Sequence, residues 1–168
     1  MLKLSTWGAT LLVLAGTCLA QAPATLKFYK LDFVVKEVEG NKVLNSRAYF
    51  MTVPADKTAS GGSIRTSSRM PYQSSTQPNS GQWNFAEVGV NIDCGAVQEI
   101  DGDLSMRLTT EVTSPLLTEP GNGPPTIRQN RWMATVLVAP KKPTVVFSSD
   151  DPTTKRQMQV ELTATPLK

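Results

Sequence analysis

From Trp83 to Val112 the chain reads WNFAEVGVNIDCGAVQEIDGDLSMRLTTEV, and apolar and polar positions alternate along most of it. Leu104, Met106, Leu108, Thr110 and Val112 are set against Ser105, Arg107, Thr109, Glu111 and Thr113, the period-two pattern of a strand that buries one face. Upstream, Val88, Val90, Ile92 and Cys94 alternate in the same way with Glu87, Gly89, Asn91 and Asp93. Asp101-Gly102-Asp103 lies between the two runs and supplies residues that tolerate positive φ, so the pattern predicts an antiparallel hairpin.

The same reading extends along the rest of the chain. A strand is predicted over 25–38, a turn at Glu39-Gly40-Asn41, and a return strand over 43–53 that Pro54 ends. The return strand carries Leu44, Ala48 and Phe50 on one face and Val43, Tyr49, Met51 and Val53 on the other, which predicts cover on both sides. Residues 55–82 turn to Ser, Thr, Gly, Gln and Pro; within them 63–66 reads as a short edge strand and 72–82 as an exposed loop. Prolines at 115, 120, 124 and 125 predict a loop over 114–125, since proline removes a ladder donor and fixes φ. A long strand over 126–139, apolar on both faces at its end, leads through Pro140-Lys141-Lys142-Pro143 to a strand over 144–147. A polar loop over 148–154 follows. In the last strand Met158, Val160, Leu162 and Ala164 alternate with Gln157, Gln159, Glu161 and Thr163. No sustained 3.6-residue period occurs after the first twenty residues. The expected fold is all-β, a mostly antiparallel sandwich or partly open barrel of seven or eight strands.

The first twenty residues form a different kind of segment. Lys3 opens it, Leu11-Leu12-Val13-Leu14-Ala15 falls in an apolar run too short for an ordinary membrane span, and Cys18 and Ala20 place small residues before Gln21. This predicts a signal peptide over 1–20 and a single β-domain over 21–168. Lipidation at Cys18 is disfavoured by Thr17 directly before it. Removing Lys3 from the 17 basic residues leaves 16 against 14 acidic ones, with no basic block, so nucleic acid is not an expected partner. Cleavage also leaves Cys94 as the sole cysteine, on the apolar face of its strand, and excludes an internal disulfide.

The chain contains no histidine, which excludes Ser-His-Asp and Cys-His catalysis and the commonest metal ligand. The carboxylate pairs Asp101/Asp103 and Asp150/Asp151 sit in predicted turns, where Asp is favoured for local hydrogen bonds. No catalytic, cofactor-binding or metal-ligating residue is singled out, and an enzyme is not expected. Aromatic residues are scattered, and a sugar-binding platform would require them to share one exposed face.

One set of segments, in order, resembles a known family. Residues 63–72, SIRTSSRMPY, then a polar loop, then Glu87-Val88-Gly89-Val90-Asn91-Ile92-Asp93-Cys94 and Leu104-Ser105-Met106-Arg107-Leu108-Thr109-Thr110-Glu111-Val112 resemble the C-terminal β-domain of bacterial secretins. These are the outer-membrane channels of type II and III secretion and type IV pilus systems. Pro125-Thr126-Ile127-Arg128-Gln129-Asn130-Arg131 and the closing run to Pro166 are similar to further segments of that domain, so the resemblance covers about 60–168. Where secretins carry a glycine-rich turn and gate segment, this chain has Phe147-Ser148-Ser149-Asp150-Asp151-Pro152. The resemblance therefore implies a short stand-alone relative without gate or ring domains. It implies a non-enzymatic exported protein of the periplasm or outer membrane whose partners are further copies of itself or components of a secretion or pilus apparatus. It also marks Gly89, Arg131 and Pro166 as structurally important. The alternation is compatible with a strand facing lipid or water, so the sequence leaves membrane association open. The competing reading is a soluble periplasmic sandwich that binds a small ligand or polysaccharide through its long loops.

Overall fold

The computed structural model describes residues 26–73, 83–115, 126–152 and 154–167; the predicted signal peptide and most of the predicted loops over 72–82 and 114–125 lie outside them. Among the described residues there are eight strands and no helix: β1 (Phe28–Glu39), β2 (Lys42–Pro54), β3 (Gly62–Gln73), β4 (Trp83–Ile100), β5 (Asp103–Pro115), β6 (Ile127–Val138), β7 (Thr144–Asp150) and β8 (Arg156–Leu167). They form two four-stranded sheets ordered β2-β1-β8-β7 and β3-β4-β5-β6, with every pairing antiparallel. The all-β sandwich expected from the alternation is what forms; neither sheet closes into a barrel.

Alternation explains why the sheets stack. Tyr29, Leu31, Phe33 and Val35 of β1 and Met158, Val160, Leu162 and Ala164 of β8 turn inward from the first sheet. They meet Val90, Ile92 and Cys94 of β4 and Leu104, Met106, Leu108 and Val112 of β5. Phe33, Leu31, Ile92 and Leu104 are among the largest fully buried side chains. Each such burial is worth about 1.5–3 kcal/mol relative to exposure. β2 packs over β3 on one flank of the sandwich and β6 over β8 on the other.

The turns follow local chemistry. Asp101 and Gly102 have φ of 52° and 90°, so the hairpin closes through two residues in the left-handed region, as Asp-Gly favours. Gly40 has φ 58° in the β1–β2 turn. β4 also carries a bulge: Gly95 pairs with Arg107 but Gln98 with Ser105, and the extra residue brings Val97 into the core.

Four expectations change. The return strand β2 is not covered on both sides: residues 42–48 are exposed and Phe50 is 68% exposed, because β2 is a sheet edge. The predicted four-residue edge strand is the twelve-residue β3, which takes in Tyr72 and Gln73 from the predicted loop. The predicted loop at 114–125 begins later, because Ser114 and Pro115 still pair with Arg128 and Ile127. Proline is tolerated there since the β4–β5 register reaches only Thr113, so its nitrogen is not needed on that side. Likewise Ser148, Ser149 and Asp150 continue β7 against β8 rather than entering a loop.

Candidate functional site

Each flank of the sandwich presents one edge of each sheet: β2 with β3, and β7 with β6. The four edges are not equally guarded. β3 carries Arg65, Arg69 and Pro71, and β7 is seven residues long with a register shift around Val146. Charges, proline, shortness and bulges are the devices that discourage further pairing. β6 lacks a bulge: its twelve residues pair with β5 in unbroken register from Ile127 to Val138. Along its outward side Ile127, Met133 and Leu137 are 38%, 70% and 56% exposed. The apolar residues on both faces of β6 thus belong to an edge whose outer row is bare.

The inward side of β6 is firmly held. Trp132 stacks on Phe147 of β7 with ring centroids 5.1 Å apart and planes 3° from parallel. Arg128 forms an ion pair with the buried Asp151, which also accepts from Thr154 Oγ1 at 2.6 Å. Such a pair costs desolvation but is expensive to break. Asp151 is therefore more than the turn residue the sequence suggests, and its neighbour Asp150, at the end of β7, accepts from Gln157 Nε2 at 2.8 Å.

The outer face of the second sheet forms an open polar groove of about 490 Å³, lined by Arg65, Glu87, Gly89, Asn91, Glu111 and Gln129 among others. Arg65 pairs with Asp93 at 2.6 Å, and Glu111 stands opposite Arg131 in the register. Gly89 belongs to the floor of this groove, and a Cβ there would lie 1.9 Å from the Thr66 carbonyl oxygen, so glycine allows β3 its close approach to β4. Trp83 and Phe85, two residues apart on the same outward face of β4, are 59% and 61% exposed. Pro166, the third residue marked by the resemblance, faces Tyr29 of β1 beyond the reach of β7.

The buried cysteine is a poor nucleophile. Burial pushes the Cys94 thiol up to about 12, so a thiolate is scarce near neutral pH. Tyr29 is raised to about 12 by burial and by donating to Glu99 at 2.5 Å. Glu99 is held below the usual carboxylate range by Lys27 and then Tyr29. No motif points to the groove, since it is assembled from residues of four strands.

No protein-family model and no curated protein matches the chain. Among solved structures it is similar to the InvG secretin domain β-barrel from the Salmonella SPI-1 injectisome, at 7% identity and a TM-score of 0.43, covering 85% of this chain and 62% of that one. A near-atomic-resolution structure of the same secretin gives 8% identity and 0.47, covering 85% and 64%. The type II secretion system secretin GspD of E. coli K12 gives 12% and 0.40, covering 85% and 48%. The chain spans less than two thirds of each of these proteins, and the likeness is one of fold.

Proposed function

We propose that this chain is a non-enzymatic exported envelope protein whose secretin-like β-domain acts by edge-to-edge association, with further copies of itself or with components of a secretion or pilus apparatus. The observation that carries this reading is β6, a long sheet edge in unbroken register with Met133 and Leu137 exposed beside it. Its unpaired backbone groups form a template for another strand, and the apolar row adds burial once a strand arrives. Because each flank offers an edge of both sheets, a neighbour seated on either side can extend the two sheets together. A contact of that kind is head-to-tail, and repeated copies close into a ring when the rotation between them permits.

The test is fractionation of the native envelope, then light scattering of the purified chain from Gln21 to Lys168. A membrane-associated or ring-sized species is expected. The double variant Met133→Lys/Leu137→Lys is expected to reduce that species to monomer while unfolding at nearly the wild-type temperature, as exposed substitutions usually change stability by no more than about 0.5 kcal/mol. Recovery of the wild-type chain as a soluble monomer would sink the proposal.

A further inference from the structure

The outer face of the second sheet has features that edge association does not use. Along β4, outward positions follow one another about 6.7 Å apart. They run Trp83, Phe85, Glu87, Gly89, Asn91 and Asp93, so two exposed rings lead directly into a polar track. Across the strands, Ser67, Gly89, Thr113 and Gln129 form one row in the register. Arg65, Asn91, Glu111 and Arg131 form the next. Short side chains in most of the first row and long planar ones in the second give the groove its floor and wall.

We infer that this face binds an extended neutral glycan. The backbone groups of the inner strands are consumed by the ladders, so a ligand on the face is recognised by side chains alone. A peptide would gain more from backbone pairing at the open edge of β6. The charges are balanced locally: Arg65 with Asp93, Arg131 opposite Glu111 and Arg69 opposite Glu87. A polyanion would meet the carboxylates and a polycation the guanidiniums. Sugar hydroxyls both donate and accept, so they can bridge neighbouring Arg, Glu and Asn groups, each with several donors or acceptors in a plane. The apolar face of a sugar ring would cover Trp83 and Phe85, rings that are otherwise left to water. Met133 and Leu137, used in association through β6, lie on this same outer face but toward the opposite end of the sheet from Trp83 and Phe85, so the inference does not depend on that association.

The experiment is native electrophoresis of the chain from Gln21 to Lys168 through gels containing hydroxyethyl cellulose, dextran, soluble starch or polygalacturonate, each at low and high salt. Retardation by at least one neutral polymer is expected, unchanged by salt. Trp83→Ala/Phe85→Ala and Asn91→Ala/Glu111→Ala are each expected to weaken it by about tenfold or more, equivalent to about 1.4 kcal/mol. Circular dichroism establishes that both variants remain folded. The inference is overturned by migration unaffected in every neutral gel. It is also overturned by retention confined to polygalacturonate and lost in salt, or by equal retention of the folded variants. A rise in mass with concentration that quenches Trp83 would identify a second copy as the occupant and overturn it as well.

Discussion

Cys94 lies 4% exposed on the inner face of β4, and burial alone lifts its thiol from 9.0 to about 12. Tyr29 rises from 10.0 to about 12, through burial first and Glu99 second. Both groups hold their proton more tightly in the fold than in the unfolded chain. The stability they confer is therefore complete below pH 9 and drains away as pH climbs toward 12. Urea midpoints measured across that range should begin to fall near pH 9 in the wild type. In Cys94→Ala the fall should begin near pH 10, where Tyr29 starts to contribute; an unchanged onset would contradict the assignment. The buried position of Cys94 was legible because period-two alternation fixes the face of every residue in a regular strand. Its neighbour Val97 was not legible, since the bulge that turns it inward starts after Gly95 and alanine carries no signal for positive φ.

Within β4, Ala96 adopts φ 50°, a conformation that costs a residue with a Cβ about 1–2 kcal/mol. Glycine would remove that cost but lose about 0.5–1 kcal/mol of chain entropy. Ala96→Gly should therefore stabilise the protein by up to about 1.5 kcal/mol, read as a higher urea midpoint with an unchanged slope. A clear loss of stability would show that the alanine methyl makes a contact worth more than the strain. Strand existence was well marked in the sequence, and strand ends were not. β3 reads as no more than a four-residue edge strand because Arg65, Thr66, Ser67, Ser68 and Arg69 are exposed, and a strand wet on both faces has no alternation to show. β2 errs in the opposite direction: Phe50 implies a covering layer to any reading based on burial, whereas it is 68% exposed on an edge strand. The groove escaped notice for a related reason, since its lining residues meet only after the register of four strands is known.

At the scale of the whole molecule, the partition into sheets could not be read locally. β3 to β6 pair with their neighbours in sequence, but β8 inserts between β7 and β1, where Phe28 meets Leu167 and Glu39 meets Arg156. Nothing in either strand encodes a partner more than a hundred residues away; shared burial of Leu31, Phe33, Val160 and Leu162 selects it. Closing so long a loop is costly before the contacts reward it. Pulse-labelled hydrogen exchange during refolding should find amides of β4 and β5 protected before those of β1 and β8. Simultaneous protection of both sheets would show that the core forms in one step.

That late strand has a bearing on timing in the cell. A chain that emerges from its N-terminus can build the four-stranded meander β3-β4-β5-β6 while β1 still has one bare side, and only the arrival of the last dozen described residues fills the gap. Until then the first sheet is an unfinished template, as ready to accept a stray strand as its own. A chain cut short before Arg156 would keep this vacancy permanently, so β8 acts as a completeness check: the sandwich seals only once that strand has been delivered.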